Sequence, residues 1–252
     1  MNMRATSILL LLFAAHFAEA QDTTVAHRKF EQYVHVGMNL GALAPVPLPN
    51  NIRRIDGWAP QFSPAIAYEM TYRINEKWLV GAAAKLEYKG MTVKDSVAYL
   101  HTIITVVDNG QVTNFEGDFT GTNETKANNG YVTFPINAVF DPGRSWRFKL
   151  GFYLSFLFDP KFEGTVSNGY IRNGNSLGEK VQISEASFDF KNQLRTFDAG
   201  LQGGAAYRLN RNFAIEGNLN WGLRPAFPPS FTGIGFDMYN IFFTLGASYR
   251  IR

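Results

Sequence analysis

The stretch "FSPAIAYEMTYRINEKWLVGAAAKLEYK" (residues 62–89) consists of two alternating segments separated by four residues. In residues 62–73 and again in residues 78–89, every second position is apolar, and most positions between them are small, polar or charged. A period of two is typical of a β-strand that has one apolar face. Because only residues 74–77 separate the segments, the stretch predicts a tight antiparallel hairpin.

The same alternation recurs in six further segments. They are residues 33–41, 131–140, 146–158, 197–208, 213–223 and 239–251. The connections alternate between short turns, at 74–77, 141–145 and 209–212, and much longer polar loops. Short turns at one end and long loops at the other are typical of outer-membrane barrels. We therefore expect an all-β fold, an eight-stranded antiparallel up-and-down transmembrane β-barrel with long extracellular loops.

The long loops carry strand patterns of their own. Residues 102–115 contain two short alternating runs around Asp108-Asn109-Gly110, a turn type that favours positive φ, and residues 181–190 also alternate. We expect some strands to continue above the membrane as β-ribbons. The proline-rich stretches 44–49 and 225–231 are predicted to be loops, because proline cannot serve in a central strand.

The first twenty residues have the features of a secretory signal peptide. Arg4 supplies a basic start, an apolar run covers residues 8–18, and small residues precede Gln21. We expect cleavage after Ala20, which leaves residues 21–252 as one domain in the outer membrane of a Gram-negative bacterium. The chain contains no cysteine, which excludes disulfides and thiolate metal sites, and its net charge of +3 is too small to indicate nucleic acid as a partner.

The alternative fold is a soluble secreted β-sandwich, which would show a similar number of alternating strands. The apolar faces distinguish the two, since none of the eight segments carries a charge on its apolar face. Lipid explains this exclusion, because a charge that faces hydrocarbon at the midplane costs roughly 2–4 kcal/mol. The opposite faces are rich in Gly, Ala, Ser and Asn, which suits a narrow interior. The sequence therefore favours the barrel.

An aromatic residue lies on either side of each short turn, always six positions from its counterpart. These residues are Tyr72 and Trp78, Phe140 and Trp146, and Tyr207 and Phe213, with Tyr249 at the matching place in the last segment. Outer-membrane barrels have girdles of aromatic side chains at the membrane–water interfaces. We expect these seven residues to form such a girdle at the periplasmic rim.

Charged residues on the opposite faces are predicted to point into the barrel. They are His35, Glu69, Arg73, Lys85, Glu87, Arg147, Lys149, Asp198, Arg208, Glu216 and Arg250. Eight strands enclose an interior just wide enough for side chains, and unpaired buried charges are costly, so these groups should pair into a polar plug. The alternative is a narrow passive pore with a weak anion preference, which would arise from a surplus of basic side chains.

A lipid-modifying enzyme of the outer membrane is a third hypothesis. It would need a Ser, a His and an acid on one outer face, and the histidines after the signal peptide, His27, His35 and His101, lack such partners at a strand spacing. We therefore expect no catalytic residue, no metal site, no cofactor and no enzymatic activity.

The stretches "YVHVGMNLG" (33–41), "SPAIAYEMTYRINEKWLVGAAAKLEYKG" (63–90) and "FFTLGASYRI" (242–251) resemble the small outer-membrane β-barrel proteins of Bacteroidota. This is the porin family or PorT-like group, related in architecture to OmpA/OmpX-type barrels. The resemblance covers the whole mature chain. We expect a non-enzymatic anchor for surface loops, or an accessory subunit. Its expected partners are outer-membrane lipid and lipopolysaccharide, with other outer-membrane proteins as further candidates.

Overall fold

The computed structural model describes residues 29–108, 111–143 and 145–251. The expected signal peptide and His27 lie outside these ranges. The described chain forms eleven β-strands and a short 3₁₀ turn at Lys191–Gln193. The strands are β1 (Phe30–Pro45), β2 (Ile52–Pro60), β3 (Pro64–Arg73), β4 (Trp78–Asp108), β5 (Gln111–Phe140), β6 (Trp146–Asp159), β7 (Phe162–Asn173), β8 (Lys180–Asp189), β9 (Phe197–Arg208), β10 (Phe213–Gly222) and β11 (Met238–Arg250). Among the described residues, no helix has the length and apolar character needed to cross a membrane.

Each of the eight predicted segments is a strand, but the expected number of strands is too low. The hairpin at residues 62–89 becomes β3 and the first part of β4. The three additional strands are β2, β7 and β8, which form within the long loops. Of these, alternation indicates only β8, at residues 181–190. Local alternation in these regions is short, and they are strands because β4 and β5 extend far enough to supply pairing partners.

Antiparallel pairing connects eight of the strands into a closed ring. The neighbours run in the order β4, β3, β1, β11, β10, β9, β6 and β5, and β5 pairs again with β4 from Trp78 opposite Phe140 upwards. The three short turns lie together at one end of this ring. The register shows this, because residues beside different turns pair with each other: Trp78 with Phe140 and Trp146 with Tyr207. We refer to this end as the short-turn end.

At the other end, β4 and β5 continue beyond the ring as a long ribbon whose last described pair is Asp108–Gln111. We call the part formed by residues 91–108 of β4, 111–127 of β5, β2, β7 and β8 the upper sheet. In it, β2 pairs with β4, β7 with β5 and β8 with β7, and the single pair Thr105–Ser187 brings β8 back to β4. The predicted ribbons therefore exist, and they curl around a common interior.

The interior of the upper sheet is apolar. Ile104, Phe119, Val166 and Ile171 are fully buried there. The proline-marked loop at residues 223–237 also contributes to this core, for example through Phe227, whose ring lies 5.0 Å from that of Phe162 in an edge-on arrangement. The structure thus has an apolar core that needs no lipid to cover it.

Candidate functional site

The interior of the strand ring is filled by charged side chains that contact one another across it. Lys149 on β6 donates a hydrogen bond to Glu69 on β3 at 2.5 Å, although these strands are not neighbours. His35 lies between two carboxylates, with its Nδ1 2.7 Å from Glu216 Oε1 and its Nε2 2.9 Å from Glu69 Oε2. We call these four residues, from four different strands, the middle cluster.

A second group of polar residues lies further from the short turns and is centred on Glu87. Lys85 is 2.7 Å from this carboxylate and Lys89 is 3.4 Å from it. Asn39 and Thr133 donate hydrogen bonds to its two oxygens, at 2.9 and 2.8 Å. Every oxygen of Glu87 therefore has a donor, which is the condition for burying a carboxylate.

The side chain of Lys89 is 1% exposed, and its ammonium group lies between two aromatic rings. It lies 5.0 Å from the centre of the Tyr131 ring and 4.8 Å from that of Tyr153, a cation–π geometry. Tyr153 and Asn240 in turn donate hydrogen bonds to Asp198, at 3.2 and 3.0 Å. Together with the contacts of Glu87, these residues form what we call the upper cluster.

The lower cluster, at the short-turn end, contains two acids that the sequence analysis missed. Glu31 binds Arg73 and Arg147, each at 2.8 Å, and Tyr33 donates a hydrogen bond to it at 2.6 Å. Glu31 lies on β1 two residues before the predicted segment, in phase with Tyr33 and His35. Extending the alternation by one period would have identified it.

Asp141 is the second acid of the lower cluster. It follows Phe140 in the turn after β5, and it binds Arg208 and, at 3.0 Å, Arg147. Burial by itself would raise the pKa of Asp141, but the hydrogen bond from Arg208 and the charge of Arg147 outweigh it and hold the pKa below its usual range. Because it lies in a turn, the strand pattern could not indicate that Asp141 faces inwards.

These two acids remove most of the predicted surplus of basic side chains. The interior contains the acids Glu31, Glu69, Glu87, Asp141, Asp198 and Glu216 and the bases Arg73, Lys85, Lys89, Arg147, Lys149, Arg208 and Arg250, with His35 between carboxylates. All eleven predicted interior residues are in these three clusters. The basic surplus is therefore smaller than expected, because the acids at the ends of the strands offset most of it.

The free space inside the ring is concentrated at the short-turn end. A cavity of about 1110 Å³ opens there, with the lower cluster in its wall. Towards the other end, the space beside the middle cluster falls to about 60 Å³. Beyond Lys89 along β4, the next side chain of the same face is Met91, which belongs to the apolar core of the upper sheet.

The seven predicted aromatic residues lie around the short-turn end, but their rings do not pair across the turns. Each ring instead contacts a ring on the neighbouring strand of another hairpin. The pairs are Phe30–Tyr72, Trp78–Phe140 and Trp146–Tyr207, each at 5.0 Å, and Phe213–Tyr249 at 4.8 Å. Phe30, just before the first predicted segment, was missed and completes a set of one aromatic residue for each strand of the ring. We call these eight residues the aromatic band.

His35 and His101 are the histidines of the described chain. His35 is in the middle cluster, and His101 lies on the upper sheet with its Nδ1 3.1 Å from Asp118. Ser176 donates its hydroxyl proton to Asp118 at 2.5 Å, so this hydroxyl is directed at the carboxylate and not at the imidazole. That arrangement is not a serine–histidine–acid relay.

Comparison with known proteins identifies the family. Residues 18–228 match the family described as outer membrane protein beta-barrel domain. No curated protein matches the sequence. Among solved structures, the chain is similar to Ail, the attachment invasion locus protein of Yersinia pestis, in complex with the heparin analogue sucrose octasulfate. The sequence identity is 10% and the TM-score is 0.38, and the match covers 88% of this chain and 97% of that one. Ail in a phospholipid bilayer nanodisc gives 13% identity, a TM-score of 0.35, and coverage of 88% and 99%. The family match covers most of the sequence, and the chain therefore belongs to the outer membrane protein beta-barrel domain family, whose members are placed in the outer membrane.

Proposed function

We propose that the ring of eight strands spans the outer membrane as a closed barrel with a filled polar interior. Its work is to anchor the upper sheet on the cell surface, without enzymatic activity, either alone or as an accessory subunit of other outer-membrane proteins. The observation that carries this proposal is the pairing of charged side chains across the ring, as between Glu69 and Lys149. Side chains that bind one another across the interior occupy the space that a pore would need.

The outer face of the ring supports placement in lipid. On β6, Phe148, Leu150, Phe152, Leu154 and Phe156 all face outwards, and Leu150 is 71% exposed. The span from Trp146 to Phe158 rises by about 30 Å at ~3.3 Å per residue and a tilt of ~40°, close to the ~25 Å apolar band of membrane barrels. A soluble protein rarely exposes such a surface to water.

The aromatic band supports the orientation. Seven of its eight side chains are about half exposed at the short-turn end, where amphipathic side chains would meet lipid head groups. The short turns then face the periplasm, and the upper sheet is outside the cell. In this arrangement the barrel contacts outer-membrane lipid and lipopolysaccharide.

Two finer features belong to the same proposal. Residues 1–20 act as a signal peptide removed after Ala20, supported by the basic start and the apolar run that follows it. Within the family, the chain belongs to the Bacteroidota PorT-like group, supported by the stretches 33–41, 63–90 and 242–251.

Conductance in planar lipid bilayers tests the filled interior. The wild-type protein should insert without producing steady current steps. Steady, anion-selective steps would contradict the proposal. If such steps did appear, Lys149→Glu would show whether they come from this interior. Ions that pass through it would meet Lys149, so the substitution should reverse or abolish the anion selectivity. Steps from a contaminating protein would stay the same.

A narrow passive pore is the second candidate, and the cavity of about 1110 Å³ at the short-turn end favours it. This cavity would be the wide mouth of such a path. The middle and upper clusters and the apolar core beyond them lie in its way, and for this reason we prefer the anchor.

Copurification in mild detergent separates an anchor that acts alone from an accessory subunit, since only the latter brings a stoichiometric partner.

A further inference from the structure

The upper sheet contains a separate cavity of about 270 Å³ that the anchoring role does not use. Its walls are mostly apolar, and they include Leu43, Met91, Phe162, Phe190 and Met238. These residues come from four strands and from the segment after β8. The volume is just below the range of ~300–1,000 Å³ that is usual for small-molecule sites.

One side of the cavity is polar. Asp95 on β4 lies opposite Asn123 on β5, and both side chains line the cavity together with Thr102, Thr125 and His101. The imidazole of His101 binds Asp118 at 3.1 Å. Asp95 is 4% exposed, and Asn123 donates a hydrogen bond to its Oδ1 at 2.8 Å. A mostly apolar cavity with a few converging polar groups is the usual form of a ligand site.

Asp95 differs from the buried acids of the strand ring in its charge environment. Glu31, Glu69 and Asp141 each bind an arginine or a lysine. Burial raises the pKa of Asp95 to about 6, the hydrogen bond from Asn123 lowers it, and the nearby Asp56 raises it further. Among the described residues, no basic group contributes to this pKa. Among the described residues Asp95 makes no ion pair, and a buried carboxyl group of this kind is complementary to a cation that comes from outside the chain.

The cavity wall also includes exposed apolar side chains. Leu48, Ile55 and Trp58 line the cavity, and each is about half exposed. Trp58 is held in place by a hydrogen bond from its indole nitrogen to the carbonyl oxygen of Gly41 at 3.2 Å. An apolar molecule that approaches from solvent or from the lipid head groups would meet these side chains first.

We propose that this cavity binds a small amphipathic amine, with its apolar body between Met91 and Met238 and its ammonium group at Asp95. The aromatic and aliphatic walls suit one ring or a short alkyl chain. The charged end of the ligand would give Asp95 the ion-pair partner that the described residues do not supply. Anionic molecules of the same size would place like charge beside Asp95 and should bind more weakly.

The test uses the full-length mature protein in phospholipid nanodiscs with isotope-labelled methionine methyl groups. Phenethylamine, 2-phenylethanol and phenylacetate serve as probes of one size and different charge. Phenethylamine should shift the Met91 and Met238 signals to saturation, and phenylacetate should need at least tenfold higher concentration. Met38 and Met70, on the outer face of the ring, report partition into lipid and should show no saturable shift.

Two matched variants isolate the carboxylate. Asp95→Asn should weaken phenethylamine at least tenfold and leave 2-phenylethanol within about twofold. Asp189→Asn, the same change at an exposed acid of the upper sheet, should alter neither. The proposal is overturned if no probe shifts Met91 and Met238 to saturation, or if phenethylamine and phenylacetate bind the wild type equally. The comparison of phenethylamine with phenylacetate uses only the wild type, so it tests the proposal even if Asp95→Asn fails to fold.

Discussion

The carboxylate of Glu31 on β1 lies 2.8 Å from Nη2 of Arg147 on β6, across the interior of the ring and 116 positions away in the sequence. The same carboxylate binds Arg73, and Arg147 also binds Asp141. One buried pair therefore connects strands that share no backbone hydrogen bonds. Ion pairs in the interior therefore stabilise the ring in addition to the backbone hydrogen bonds between neighbouring strands.

Loss of the negative charge of Glu31 should destabilise the protein strongly. Glu31→Gln leaves Arg147 buried with one charge fewer beside it, and breaking such a pair costs about 3 kcal/mol or more. Urea-induced unfolding in lipid vesicles, followed by tryptophan fluorescence, measures this change. Glu163→Gln is the control, because Glu163 pairs with Lys161 at the surface and is 45% exposed, so the change should stay within about 1 kcal/mol. Equal effects of the two variants would contradict the role of the lower cluster.

Two adjacent glycines on β9 should differ in their tolerance of the same substitution. A Cβ atom at Gly204 would lie 2.1 Å from Asn218 Oδ1 and 2.5 Å from the carbonyl oxygen of Gly217, whereas at Gly203 its nearest neighbour is a Leu150 methyl group at 3.6 Å. Gly204→Ala should therefore destabilise the protein by about 1–3 kcal/mol, and Gly203→Ala should be tolerated. Thermal unfolding midpoints of the two variants check this. A larger loss for Gly203→Ala would mean that the assignment of inner and outer faces is reversed.

The stability of the upper sheet should decrease between about pH 4 and pH 6 because of Asp95. Its pKa is raised from 3.8 to about 6, so the folded state holds this proton more tightly than the unfolded state. Well below pH 4 both states are protonated and the penalty is absent. Well above pH 6 the penalty is complete, at about 3 kcal/mol. Asp95→Asn removes the penalty because the amide cannot ionise.

The measurement is the difference in unfolding free energy between the wild type and Asp95→Asn at pH 4.5 and pH 7.5. The variant should gain relative to the wild type as pH rises. Asp189→Asn is the control, since slight burial raises the pKa of Asp189 but hydrogen bonds from the Lys191 backbone and side chain outweigh it and lower that pKa. For that exposed group, the relative change should be small and opposite in sign. A pH-independent difference for Asp95→Asn would show that burial does not raise its pKa.

Cysteine labelling should distinguish the two ends of the molecule. Leu177, between β7 and β8, is 93% exposed, and Glu76 lies in the exposed turn between β3 and β4. On intact cells, a membrane-impermeant maleimide should label Leu177→Cys and should label Glu76→Cys only after the outer membrane is permeabilised. The chain has no cysteine of its own, so the unsubstituted protein is the background control. The reverse labelling would invert the proposed topology.

Much of the ring could be predicted because the two faces of a strand are visible as an alternation of apolar and polar residues in its own sequence. Alternation placed Glu69 and Lys149 on inward faces and Trp78 on an outward face, and the pleat guarantees that successive side chains point to opposite sides. Predictions failed at the ends of strands. Glu31 and Phe30 lie just before the recognised pattern, and Asp141 lies in a turn, where a period of two carries no information about direction.

The upper sheet shows a different limit of the sequence. The alternation in residues 181–190 indicates a strand with an apolar face. It does not indicate what covers that face, because lipid and a protein core produce the same pattern. Only the pairing of β7 with β5, and the return of β8 to β4 at Thr105, places Phe188 in a protein core.

The sequence by itself therefore determined the strands of the ring, their two faces and the end at which the short turns meet, since these follow from local periodicity. The tertiary structure alone decided which charge binds which, because Glu31 and Arg147 meet only when the ring closes. It also decided that β2, β7 and β8 enclose a core and a cavity around Asp95, because such an enclosure depends on contacts between segments far apart in the chain.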